Sequence, residues 1–468
     1  MRMKPLFYIP AILGAGSLQA ADHNAGTEKP INVIYILADD LGYGDLGCYG
    51  QQKILTPHID RMASEGMLFT QHYAGCTVSA PSRASLMTGL HTGHTQIRGN
   101  KEIKPEGQQP MSADTYTLGK LMKSAGYATG IFGKWGLGYP GSDSEPNKMG
   151  FDEFFGYNCQ REAHSYYPEH LWHNSQKIML DENKDRGMKT YSQDLIHQQA
   201  VQFIRDNKDK PFFAMLTYTL PHAELNLPHD SIYSLYENSF EETPHDGRKG
   251  YYDVEKPRAS FAAMVTRLDW YVGEILDKLK KQGLDKNTLV IFTSDNGPHR
   301  EGGADPDFFD SYGPLKGLKR DVYEGGIRVP MIAWMPQRIT KGSKSDHISA
   351  FWDIMPTLAE LTDTDLPVST DGISMLPTLF LSGKQKEHDY LYWEFHELGG
   401  RQAVRKGAWK VIRLNVGNPD KTKVELYNLM DDLHEDNNLA EQNPEITKEL
   451  SLLMDKARTS SPLFNFGK

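Results

Sequence analysis

The run "GCTVSAPSRASLMTGL" (75–90) sets Ser79 two residues before Pro81 and four before Arg83, with Thr88 and Gly89 beyond. Pro81 suits the first turn of a helix that begins just after Ser79. Ser79 then lies near the positive end of that helix and Arg83 projects from its next turn, a place where an anion is welcome. The same local pattern also reads as a serine that only caps a helix. Two further pairs, Asp39-Asp40 and Asp295-Asn296, carry only oxygen ligands. They suit a hard cation, calcium first and magnesium second, whereas zinc would call for His or Cys. Adjacent aspartates leaving a buried strand repel each other without solvent, and a dication offsets that cost.

The elements that must carry these groups alternate between strand and helix. "INVIYILADD" (31–40) is a β-branched apolar run of the kind buried on both faces of a sheet, and it ends in the two aspartates. "TYTLGKLMKSAGYATGIFGKW" reads as a helix stopped at Gly126 and then a strand ending near Lys134. "PFFAMLTYTLPHA" (211–223) is another buried strand, delivering His222. Between 260 and 283, Phe261, Met264, Val265, Leu268, Val272, Ile275, Leu276 and Leu279 recur at helical spacing, with Gly283 as the stop. "NTLVIFTSDNGPH" then closes a strand at Asp295-Asn296. Such alternation implies an α/β fold, a large, mostly parallel sheet with helices on both faces. In open sheets of this kind ligands bind beyond the carboxyl ends of the strands. Four strands ending in Asp39-Asp40, Lys134, His222 and Asp295-Asn296 therefore point to one site assembled from distant sequence.

The 468 residues, 39% hydrophobic and 24% charged, are ordinary for a globular protein with a sizeable core. A net charge of -10 argues against a nucleic-acid partner. It leaves room for an anionic substrate, because a cation and a few local Lys and Arg can dominate a pocket. Arg2 and Lys4, an apolar run from Leu6 to Leu18, and the small residues Ala20 and Ala21 have the order of a secretory signal peptide, assigned to 1–20. The mature protein is expected to start near Ala21, to be exported and to contain no transmembrane segment. Cys48, Cys76 and Cys159 allow at most one bridge and form no disulfide framework.

"SAPSRASLMTG" resembles the signature of the type I sulfatases, in which a Cys or Ser followed by x-P-S-R and then T-G is oxidised to formylglycine. The resemblance continues through "NVIYILADDLGYGDLGCYG", "GIFGKWGLG", "LPHAELNLP", "SDNGPH", "GLKRDVYEGGIRVP", "AVRKGAWK" and "ELYNL", nearly the whole mature chain. Two positions after Cys76 stands Val78, but two after Ser79 stands Pro81, so Ser79 is the implied target. A serine-type site resembles those matured by radical sulfatase-maturing enzymes of bacteria, anaerobes included, and implies a periplasmic or secreted bacterial enzyme. By the same resemblance Asp39, Asp40, Asp295, Asn296 and modified Ser79 hold the metal. Arg83 stabilises the formylglycine hydrate, and Lys134 and Lys319 clamp the sulfate, with Lys316 the alternative to Lys319. His222 is then the acid for the leaving alcohol, expected in its charged form beside a sulfate. One motif departs: the family usually has "GKWHLG", and here the histidine position is Gly136. His299, His94, or the metal with the neighbouring lysines would have to fill that role.

A boundary near "LPVSTDGISMLPTL" (366–379), where composition shifts to short strands and an amphipathic helix near 445–457, divides the chain into a catalytic domain over 29–370 and an α+β subdomain over 371–468, and the resemblance implies a four-stranded sheet in the latter. "NCQREAHSYYPEHLWHN" (158–174), with Arg161 and His164, and "YWEFHELGGRQAVRKG" (392–407), with His396 and Arg401, are candidate sugar-contact segments, as is His299. The implied activity is calcium-dependent, exo-acting hydrolysis of a saccharide sulfate ester, with galactose or N-acetylgalactosamine sulfate favoured. The alternatives are phosphonate monoester or phosphodiester hydrolysis and non-catalytic sulfoglycan binding.

Overall fold

A computed structural model describes residues 29–247 and 250–466. The signal peptide assigned to 1–20 lies outside the described residues. Asn32–Ala38 is buried along its whole length, and its side chains alternate between two cores. Val33, Tyr35 and Leu37 pack with residues of the helices Ser79–Thr88, Leu118–Ser124 and Ile354–Leu361. Ile34, Ile36 and Ala38 pack with residues of Pro57–Glu65, Ser192–Asp206 and Pro257–Gln282. The two-residue period of a strand thus explains why a continuous apolar run is required: both faces are covered. Each fully buried aliphatic or aromatic side chain here contributes about 1.5–3 kcal/mol relative to exposure.

The strand belongs to an eleven-stranded mixed sheet. Its central run, in spatial order Thr288–Ser294, Asn32–Ala38, Phe212–Thr217, Ala128–Lys134 and Glu153–Tyr157, is parallel throughout. Antiparallel strands flank it: Arg328–Trp334 pairs with Thr288–Ser294 on one side and His170–His173 with Glu153–Tyr157 on the other. Register does the rest. Ala38 lies opposite Ser294, and Gly133 opposite Thr217, so the carboxyl ends of four neighbouring strands open onto one rim. Those ends carry Asp39-Asp40, Asp295-Asn296, His222 and Lys134.

The long helix runs Pro257–Gln282, with proline in its first turn, and stops at Gly283, whose φ of 68° is the left-handed conformation that glycine adopts without a Cβ penalty. The strands Leu391–Phe395, Arg401–Lys406, Trp409–Leu414 and Lys423–Asn428 form a separate antiparallel sheet, with the helix Pro444–Lys456 packed on it. A fully buried ion cluster fastens this sheet to the large one. Lys410 Nζ lies 2.9 Å from both Glu324 and Glu435, and Glu324 also receives the Tyr73 hydroxyl at 2.6 Å. All three cysteines are free thiols. Among the described residues no helix is long and apolar enough to cross a membrane.

Candidate active site

Ser79 is the first residue of the helix Ser79–Thr88, every residue of which is buried. Its hydroxyl does not cap that helix. It donates to Asp39 Oδ1 at 3.1 Å and accepts from Lys134 Nζ at 3.1 Å. Lys134 Nζ also donates to Asp39 Oδ2 at 2.6 Å. From the next helical turn, Arg83 Nε donates to Asp295 Oδ2 at 3.0 Å and Nη1 to the Lys134 carbonyl at 2.8 Å. Cys76 is buried against the Glu394 carbonyl and its thiol is pushed up to about 12 by burial, which leaves it unreactive beside Ser79.

Three buried carboxylates, Asp39, Asp40 and Asp295, therefore interleave with three buried cations, Arg83, Lys134 and Lys319. Burial alone would raise the Asp39 carboxyl, but the Lys134 and Arg83 cations reverse this and hold it well below the usual range. Asp295 is pushed up to about 6 by burial and then by Asp39. Asn296 donates from Nδ2 to Asp40 Oδ1 at 2.6 Å and to the Gly297 carbonyl at 2.9 Å, while its buried Oδ1 has no partner. An unsatisfied acceptor oxygen beside three carboxylates, in a cluster whose ligand atoms are oxygens, fits a hard dication.

Lys319 and His222 form the other half of the site. Lys319 Nζ lies 2.8 Å from Asp40 Oδ2, 3.0 Å from Glu301 Oε2 and 2.9 Å from His222 Nε2. Burial would lower the Lys319 ammonium, and Asp40 and Glu301 together raise it instead. His222 Nδ1 faces the Ala223 carbonyl, an acceptor, so Nδ1 carries the hydrogen and Nε2 accepts from Lys319. Burial first, and then the Lys319 ammonium, push this imidazole down to about 4. The hydrogen between the two groups faces the site, so a proton for a leaving group would pass through the Lys319–His222 pair.

The candidate sugar contacts scatter. His164 and His299 stack on His222, with ring centroids 4.6 Å and 5.5 Å away. Arg401 Nη1 donates to the Arg320 carbonyl at 2.7 Å and so braces the loop that carries Lys319. Arg161 is exposed and bonded to the Pro105 carbonyl at 2.7 Å. His396 is tied to Glu394 at 2.9 Å and stacked on Phe466. Lys316 reaches the Glu435 carbonyl at 2.7 Å, and His94 is held by Asp371 at 2.9 Å, so neither stands in the Lys319 or Gly136 role.

Sequence reasoning missed Glu301 and Arg320. Glu301 joins Lys319 to Arg320, whose Nη2 lies 2.6 Å from Glu301 Oε1, and both line a cavity of about 970 Å³ with His245, Tyr251 and His299. Proximity to "SDNGPH" was the available signal for Glu301, two residues beyond His299. Arg320 had only its place beside Lys319.

The model of the family described as Sulfatase matches residues 31–364. The chain belongs to the sulfatase family. Sulfatase membership makes it a sulfuric ester hydrolase, and a second model, N-sulphoglucosamine sulphohydrolase, C-terminal, matches residues 317–460. An N-acetylgalactosamine-6-O-sulfatase of Bacteroides thetaiotaomicron is 30% identical over 543 aligned positions, covering 98% of this chain and 99% of that protein. An N-acetylgalactosamine-6-sulfatase of Mus musculus is 32% identical, over 82% of this chain and 72% of that one. Among solved structures, Ps i-CgsB in complex with k-i-k-neocarrahexaose superposes with a TM-score of 0.76 at 29% identity, covering 92% of each chain.

Proposed function

We propose that this sulfatase removes sulfate esters from saccharides, with Ser79 oxidised to formylglycine and calcium held by Asp39, Asp40, Asp295 and Asn296. The observation that carries the reading is the Ser79 hydroxyl, fixed at 3.1 Å from both Asp39 Oδ1 and Lys134 Nζ within the buried ionic cluster. A binding protein has no need to bury a hydroxyl there. When present, the cation and the aldehyde hydrate would supply an activated oxygen nucleophile and neutralise charge on the sulfuryl oxygens. The chain's own residues do the remainder. Lys134 directs its ammonium at the nucleophile position, and Arg83 holds Asp295 and the Lys134 carbonyl in register, a preorganised field that needs no rearrangement during reaction. Lys319 and His222 share the hydrogen bond from which a departing sugar alkoxide draws its proton. Glu301 keeps Lys319 charged and aimed.

A saccharide substrate is supported by the names of the relatives and by the polar cavity beside Lys319, which His245, Tyr251, Arg300 and Arg320 line. Galactose or N-acetylgalactosamine sulfate is the favoured class. The N-terminal residues support export to the periplasm or beyond, and the serine-type signature supports maturation by a radical sulfatase-maturing enzyme. A panel of defined sulfated monosaccharides, run beside the matching phosphate esters, tests the reading. Sulfate release from a galacto-configured sugar supports it, and preferential turnover of phosphate or phosphonate esters overturns it.

A further inference from the structure

We infer that Gln160 is a substrate-contacting residue, its carboxamide filling the place that a side chain at position 136 would take and donating to an oxygen of the bound sulfate group; this rests on the sulfatase reading above. Gly136 has a φ of 73°, and a Cβ built on it would lie 2.8 Å from Gln160 Nε2 and 3.3 Å from its Cδ. The two positions are complementary: the side chain absent from one is the room taken by the other.

Both lie on the segments that leave the parallel strands Ala128–Lys134 and Glu153–Tyr157. Gly136 follows Lys134, the lysine on Ser79, by two residues, within about 7 Å along the chain. Hydrogen bonds from Trp135 N to the Tyr157 carbonyl at 2.9 Å and from Gly136 N to the Asn158 carbonyl at 3.1 Å carry the two parallel chains together past the sheet. The Trp135 indole is buried and bonded to the Ser144 carbonyl at 2.8 Å. Gln160 is anchored through its backbone N–H to Gln108 Oε1 at 3.1 Å. Four residues later His164 stacks on His222. Gln160 thus lies on the segment between the strand Glu153–Tyr157 and His164, its amide packed against the position two residues past Lys134.

Its chemistry names the ligand. Gln160 is only 8% exposed, and its amide nitrogen is buried with no hydrogen-bond partner among the described residues. Buried donors without acceptors are rare, and a carboxamide nitrogen can only donate. The acceptor it is built for is an oxygen brought by the substrate, and a sulfate ester presents several. Being neutral, the amide orients the group without disturbing the balance of Arg83, Lys134 and Lys319 against the three aspartates, and it takes no proton.

Inorganic sulfate is the probe, titrated by calorimetry into the calcium-supplemented full chain with Ser79 unmodified, alongside kcat/KM of the matured enzyme. Gln160→Ala is expected to weaken sulfate binding and lower kcat/KM by about tenfold or more, the effect of a lost hydrogen bond to a charged group. Gln160→Glu, equal in shape but facing an anion with a carboxylate, is expected to lose more than Gln160→Ala. Gln160→Met serves if the alanine variant does not fold. Folded variants that keep sulfate affinity and kcat/KM within twofold of the parent would overturn the inference while leaving the sulfatase reading intact. A parent that binds sulfate through Gln160 yet hydrolyses no sulfate ester would support the inference and sink that reading instead.

Discussion

Replacing His222 with alanine separates proton supply from sulfate binding. In the native site Nε2 accepts from Lys319 at 2.9 Å while Nδ1 is spent on the Ala223 carbonyl. Removing the imidazole leaves Lys319 with Asp40 and Glu301, two carboxylates that draw its ammonium away from the leaving group. A sugar alkoxide departs poorly without an acid, and loss of one costs a factor of about 10² to 10⁴, equivalent to roughly 3–5 kcal/mol. Nitrophenolate leaves with little help. An aryl sulfate should therefore feel only the loss of Lys319 orientation, about 1–1.5 kcal/mol or roughly tenfold, the worth of one hydrogen bond. The assay is kcat/KM at one pH for a nitrophenyl sulfate, followed by absorbance, and for a sulfated sugar, followed by sulfate release. The sugar is expected to lose at least tenfold more than the aryl ester. Losses equal within threefold would make His222 a binding residue and remove the Lys319–His222 pair as the proton source.

Other perturbations probe the cation, the interface and the buried charge. Calcium should raise the melting temperature of protein with unmodified Ser79, by about 2.7 kcal/mol of stabilisation at a hundredfold excess over Kd, and Asp39→Ala should abolish both this shift and turnover; a variant still stabilised by calcium would contradict the ligand assignment. Lys410→Met leaves the fully buried Glu435 without a cation and Glu324 with only Arg328 and Tyr73, and should cost about 3–5 kcal/mol in denaturant unfolding, with a loss under 1 kcal/mol the contrary result. Asp45 is fully buried, one oxygen accepting from Gly42 N at 2.7 Å and the other unpartnered, and burial pushes its carboxyl up to about 7. Because the folded value lies above the usual one near 3.9, its contribution to stability is complete below about pH 4 and is lost as pH rises through about 7. Asp45→Asn should accordingly raise the melting temperature more at pH 8 than at pH 5, and an equal shift at both would refute the assignment.

The sheet core was legible because strands buried on both faces cannot hide their composition: Asn32–Ala38, Phe212–Thr217 and Thr288–Ser294 are buried throughout, carry unbroken apolar runs and lead into polar groups. The candidate metal ligands and candidate nucleophile were read from those ends and from the signature around Ser79, and the structure brings them together. In the C-terminal part composition marked short strands, but their pairing into one four-stranded sheet came from family resemblance, since short strands, two of them partly open, carry little register signal. The aromatic stretch after Asn158 was read only as a candidate sugar-contact segment, yet its latter part, with the residues that follow, forms the edge hairpin His170–His173 and Gln176–Met179; edge strands half open to solvent lack the apolar run that marks a central one. Glu301, Arg320 and Gln160 were missed for a related reason. Each sits on a connecting segment whose path is set by what it packs against, so neither periodicity nor local spacing marks it.

The account's central claim is that Ser79, and not Cys76, becomes the nucleophile. Peptide mass spectrometry of protein made alongside a serine-type sulfatase-maturing enzyme tests it directly. The peptide should show loss of a pair of hydrogens at Ser79 and none at Cys76, with sulfate release in proportion to the modified fraction. Full activity with Ser79 intact would contradict it.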